Sequence, residues 1–271
     1  MLEAHVGFDH SLFTSHPYFW KLQGFAVPPS GVLLGAHPPE HWWHERRFHR
    51  PLPDFALNLF IQAKRPVVGS RVSKALKAVG LKSPYWKFVI SEQQQLVLES
   101  LALSTAGSAL VCYACPAFDR VTELYAHSRT GSIVQTSTFP PASLLHAHEA
   151  WYYNVPGCSG VANPTPERIE DVPLLERVNQ FTAQRPERQG EASFGANLKR
   201  LAVAIYESLA AEAVGNSGRT AVYFEALREI DQYMEFARSL RYAEALRNYL
   251  AVAVFVSLFQ LQWHTLARSD A

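Results

Sequence analysis

An α/β fold followed by a helical C-terminal region is what this sequence of 271 residues predicts, and three observations predict it. Short, near-continuous apolar runs bounded by Pro and Gly read as buried strands. Two of these runs flank a helix-like stretch, the strand–helix–strand order of an α/β unit. Beyond about residue 190 the strand-like runs give way to Ala/Leu/Glu/Arg-rich segments with helical spacing. Hydrophobic residues make up 48% and charged residues 18%, which supports a sizeable core and excludes global disorder.

Taken in order, the first 50 residues are rich in His, Pro and Trp and predict short strands and turns, punctuated at Pro28-Pro29 and Pro38-Pro39. Phe55 to Gln62 is the strongest early strand, apolar enough to be buried on both faces in the centre of a sheet. Tyr85 to Ile90 predicts the next. Ser91 then reads as a helix N-cap with Gln94 at the capping-box position, opening a helix that stops near Gly107. Ala109 to Ala114 returns as a strand, and Ile133 to Thr136 reads as a weak edge strand. Asn154 to Glu170 is rich in Gly, Pro, Ser and Asn and predicts irregular chain, and Gln184 to Glu191 predicts a linker. Residues 195–213, 221–238 and 241–267 predict three helices. The organisation expected is residues 1–190 as an α/β domain and 191–271 as a helical region, the latter a surface for self-association or a protein partner.

Tyr249 to Phe259 is the most apolar segment, but it is too short to span a bilayer and predicts a buried or interface helix. No membrane association is expected. Three cysteines form no disulfide framework, and no leader-like segment opens at Met1, so a cytoplasmic setting is the expectation.

The net charge of +1 conceals an asymmetry. Residues 1–91 hold 11 Lys/Arg against 5 Asp/Glu, whereas residues 92–271 hold 14 against 19. Between Asp54 and Glu92 there is no acidic residue, while Lys64, Arg65, Arg71, Lys74, Lys77, Lys82 and Lys87 are all basic. Such a run suits either a phosphate backbone or a solvated face balanced by acids elsewhere.

The end of the first strong strand carries the most informative chemistry. Strand alternation puts Gln62 and Lys64 on one face about 6.6 Å apart, with Ala63 turned away. An apolar strand ending in acid-or-amide, any residue, lysine resembles the core motif of the PD-(D/E)XK restriction-endonuclease-like superfamily. The order YWKFVI, SEQQQLVLESLA, ALVCYACPAF resembles the strand–helix–strand that follows the motif there. Glu3-Ala-His-Val-Gly7-Phe-Asp9 resembles the family's segment of glutamate, glycine and metal-binding aspartate. The resemblance covers residues 1–155 and implies a mixed central sheet of restriction-endonuclease type. It further implies an Mg²⁺-dependent endonuclease acting on DNA, with Mn²⁺ able to substitute, in a setting such as restriction or anti-phage defence. Asp9 and Gln62 would hold the metal, Glu3 would assist, and Lys64 would position the phosphate or the attacking water. Arg65, Arg71, Lys74 and Lys77 would contact nucleic acid. Asp54 is a rival acid, but on a straight strand it would lie about 26 Å from Gln62. Gln62 departs from the family's carboxylate and brings no charge to a metal. The alternative expectation is therefore a catalytically silent protein of the same fold that binds nucleic acid or a partner.

Rival motifs are weaker. His37, His41, His44 and His49 with Glu40 and Glu45 match no zinc spacing, and Cys112/Cys115 has no second pair. His146, His148 and Trp151 suit packing or a groove. No phosphate-binding glycine loop, nucleophile-elbow serine or dinucleotide fingerprint occurs.

Overall fold

The computed structural model describes residues 55–157, 159–170, 172–183, 194–212, 218–236 and 243–267. By internal contacts the chain divides into Met1–Pro51 and Leu52–Ala271, and all described residues belong to the second unit. Strand β1 (Phe55–Ala63) is followed by β2 (Val67–Gly69), helix α1 (Lys74–Ala78), β3 (Tyr85–Val89), α2 (Glu92–Ser104) and β4 (Ala109–Pro116). Next come α3 (Val121–Thr130), β5 (Ser137–Thr138), a 3₁₀ turn at Ala142–Leu145, and β6 (Ala150–Tyr153), β7 (Ser159–Asn163) and β8 (Glu167–Glu170). Helices α4 (Leu174–Ala183), α5 (Phe194–Glu212), α6 (Gly218–Phe236) and α7 (Ala243–Leu258) precede a last strand, β9 (Gln262–Ala267).

The fold is mixed α/β with two sheets, ordered β5-β4-β1-β9 and β2-β3-β6-β7-β8. Strands β1 and β4 are parallel, and β9 pairs antiparallel with β1 on its other side. The continuous apolar run of β1 is thus explained, because both of its faces are covered. Phe60 faces a large cluster shared with Leu98, Tyr113, Trp151, Tyr223 and Phe255, whereas Leu59 faces a small one with Cys112, Phe139 and Leu174. The C-terminal helices share that large cluster with both sheets.

Three expectations need correction. Helix does not run through residues 241–267: it ends at Leu258, and the chain turns at Gln260, whose φ is +56°, into β9. Leu261 N–H closes the turn on Val256 C=O at 2.9 Å, a helix-ending motif that normally uses Gly. Residues 154–170 are not irregular throughout, since β7 and β8 form there. Gly160 suits β7 because a Cβ at this position would overlap the indole of the fully buried Trp151. The edge strand expected at 133–136 is a turn, and the edge pairing with β4 comes from Ser137–Thr138.

One buried polar cluster joins the parts. Asn58, in the middle of β1, is fully buried. Its Nδ2 donates to Asn197 Oδ1 of α5 at 3.0 Å, and Asn197 Nδ2 returns a bond at 3.3 Å. Trp263 Nε1 of β9 donates to Asn58 Oδ1 at 3.1 Å. Replacing Asn58 by Leu keeps the branched shape but strands these buried partners, so stability in urea should fall by about 2–4 kcal/mol. A loss below about 0.5 kcal/mol would show that the amide cluster holds nothing together.

Candidate functional site

Parallel strands deliver side chains to their carboxyl ends, where open α/β sheets bind ligands. Gln62 and Lys64 lie at that end of β1, beside the carboxyl end of β4. The backbone N–H of Lys64 continues the pairing by donating to Ala114 C=O at 2.8 Å. Sequence alternation thus predicts correctly that Gln62 and Lys64 share a face, the one toward Tyr113.

Lys64 is half-buried. Its Nζ donates to Gln94 Oε1 at 2.6 Å and sits 5.4 Å from the Tyr113 ring centroid, a cation–π contact. Among the described residues no carboxylate pairs with it. Burial lowers its pKa from the ordinary lysine value, and the nearby Cys115 pulls weakly the other way. Gln94 stands in the first turn of α2. Ser91 is the N-cap as expected but makes no side-chain capping bond, and Gln94 bonds the lysine instead.

Gln62 is only 5% exposed. With its amide oriented to satisfy its neighbours, Nε2 donates to Phe259 C=O at 3.1 Å and to Gln260 C=O at 3.2 Å, while Oε1 accepts from Gln94 Nε2 at 3.2 Å. The amide therefore clamps the turn between α7 and β9. It does not fit as an Mg²⁺ ligand, because its oxygen is engaged and no carboxylate stands with it among the described residues. Nor does any group of three His, Cys, Asp or Glu side chains among them converge on a metal position. Asp9 and Glu3, the expected carboxylates, lie outside the described residues, as do Asp54, Glu40, Glu45 and the histidines at 37, 41, 44 and 49.

Sequence reasoning did not find the polar chain beside this site. Tyr113 Oη donates to Gln95 Oε1 at 2.7 Å. Gln95 Nε2 donates to Ala142 C=O at 2.7 Å and to Glu99 Oε1 at 2.5 Å. His146 Nδ1 then pairs with Glu99 Oε2 at 2.9 Å. The Gln-rich start of α2 is the available signal, since three consecutive glutamines at the start of a helix with a buried face need partners somewhere. Trp151 is a core residue and lines no groove.

The basic run is exposed in part, with Lys64 and Lys87 half-buried. Arg65, Arg71, Lys74, Lys77 and Lys82 are exposed, and none forms an ion pair among the described residues. Cys112 and Cys115 fall on opposite faces of β4, in separate apolar clusters, so they cannot share a metal. Burial pushes the Cys115 thiol up to about 11. Both cysteines should therefore resist iodoacetamide in the native protein at about pH 8 and react after denaturation, as read by peptide mass spectrometry. Rapid native labelling of Cys115 would contradict the burial.

No protein-family model, curated protein or solved structure matches this chain.

Proposed function

We propose that this chain binds nucleic acid, with Lys64 contacting a phosphate at the carboxyl end of β1 and the basic run Arg65–Lys87 extending the interface. The observation that carries this reading is the half-buried Lys64 ammonium, held by a neutral amide and a ring face and unpaired by any described carboxylate. A desolvated cation without a counterion is costly, and a phosphate supplies one. The adjoining exposed basic residues, free of ion pairs among the described residues, supply the longer-range attraction.

A second reading adds Mg²⁺-dependent hydrolysis of phosphodiester bonds in DNA. It is favoured by the motif Gln62-Ala63-Lys64 at the carboxyl end of a central strand that pairs in parallel with β4; β3 follows the motif in the chain as the resemblance implies but joins the other sheet. On this reading the Gln62 amide remains in its structural clamp. Lys64 orients the phosphate and offsets charge that builds on its oxygens, an electrostatic role that needs a fixed cation.

Binding to a labelled DNA duplex should weaken with added salt, with a slope of about −0.9 per contacted phosphate. Neutralising Arg71, Lys74 and Lys77 together should flatten that slope, and binding indifferent to salt would count against the basic run as the footprint.

The lowered Lys64 pKa sets a pH signature. Burial favours the neutral amine, so the cation is lost at a lower pH than an ordinary lysine, and DNA affinity should drop as pH rises through that window. Lys64→Arg should hold affinity to higher pH, because arginine does not titrate there. An identical pH profile for the two proteins would remove Lys64 from the interface.

Gln62→Glu separates the two readings. In the structure it sets a carboxylate against two carbonyl oxygens, so the thermal midpoint should fall. If the second reading holds, Mn²⁺ should restore the midpoint selectively in this variant. Failure of Mn²⁺ to move the midpoint, with DNA binding intact, leaves binding without cleavage.

A further inference from the structure

The five-stranded sheet has one buried face and one open face. Phe88, Trp151 and Ala162 project into the large core. The pairing register sets Val67, Lys87, Tyr152, Val161 and Arg168 opposite one another across all five strands, so this row projects from the other face. Helix α1 covers part of it, through a small cluster of Leu76, Leu81, Tyr85 and Val161, against which the half-buried Tyr152 packs with its ring centroid 5.7 Å from that of Tyr85.

Beside that cluster the row is open and basic. Lys87 Nζ lies 5.9 Å from the Tyr152 ring centroid, and Val67 and Val89 are 50% and 63% exposed. On the other side of Tyr152, Lys82, Asn154, Ser159 and Arg168 line an open cleft of about 220 Å³. The Arg168 guanidinium reaches over Gly80, where φ is +88° and a Cβ would stand 3.4 Å from Nη1. Glu170, on the same face, accepts from Arg168 Nε at 3.0 Å and fixes the fork's direction. Asn154 is spent on the backbone of Lys82 and Pro84, so it shapes the cleft wall.

We propose that this face binds single-stranded nucleic acid, one base stacking on Tyr152 and the phosphates running along Lys87, Lys82 and Arg168. A strand-mounted aromatic ring flanked by cations recognises what an unpaired strand exposes and a duplex hides: a base face beside its own phosphate. Lys87 and Arg168 stand three strand spacings apart, about 14 Å, which allows more than one nucleotide between them. The inference rests on the nucleic-acid reading of the basic run and goes beyond it by naming the unpaired strand as the ligand.

The test is fluorescence anisotropy on the full chain with a labelled oligothymidylate, an abasic strand of equal length and a duplex of equal length. The oligothymidylate should bind most tightly. Tyr152→Ala should weaken it about tenfold while leaving the duplex unaffected, and Tyr152→Trp should retain binding. Lys87→Gln with Arg168→Gln, both outside the large core, should flatten the single-strand salt slope by about 0.7 for each phosphate no longer neutralised. Equal binding of the abasic strand, or Tyr152→Ala and the Lys87/Arg168 pair both behaving as the unmodified chain, overturns the inference. If the duplex still binds and responds to Arg71, Lys74 and Lys77, the broader reading survives that failure. If neither strand form binds at low salt, both readings fall.

Discussion

The Asn58 amide is the constraint on which the architecture rests. A neutral polar side chain at zero exposure in a central strand is tolerated only when each of its hydrogen-bonding groups is satisfied. Here the partners come from α5 and β9, which lie far along the chain. Apolar packing between the sheet and the C-terminal helices would permit several relative placements. Reciprocal amide bonds to Asn197 and an indole bond from Trp263 select one. Hydrophobic burial supplies the larger share of the stability, and the polar cluster supplies register.

Gln62 repeats that logic at the carboxyl end of β1. Its amide holds the carbonyls of Phe259 and Gln260, where the backbone leaves α7 through a left-handed residue other than glycine. Because that amide is spent on the turn and on Gln94, the neighbouring lysine faces its surroundings with neutral partners only. The charge at the carboxyl end of β1 is in this sense a by-product of how the sheet is closed: structural amides surround it, and the carboxylate that would neutralise it is missing among the described residues.

How much of this was legible in the residues follows from where the deciding interactions lie. β1, α2 and β4 are legible because their signals are local: apolar runs, a capping serine and glycine or proline stops. α3 carries Val121, Leu124 and Tyr125 at helical spacing and a left-handed Gly131 at its end, but none of its residues is buried, so a reading that looks for core-forming runs passes over it. β9 is masked by the apolar helix before it, because Gln260 ends that helix where glycine would have announced the stop. β7 and β8 carry Gly160, Asn163 and a charged edge, which read as loop until Trp151 is seen to occupy the space a side chain would need. The side-by-side placement of Gln62 and Lys64 follows from strand alternation, but the fate of the Gln62 amide depends on Phe259 and Gln260, at the far end of the chain. No local pattern encodes that.

The pairing of β1 with β9 has a consequence for how the protein is made. β1 leaves the ribosome long before its antiparallel partner, and until β9 arrives one side of an apolar central strand presents unpaired N–H and C=O groups. Such an edge is a template for pairing with other chains. The nascent protein must hold it covered, or briefly protected by chaperones, while the intervening sheet and helices are synthesised. Closure of the four-stranded sheet is therefore a late, long-range event, slow by the entropy of the loop it must close. Shortening the chain by its final strand would leave that edge permanently open, turning a folding delay into a standing aggregation hazard.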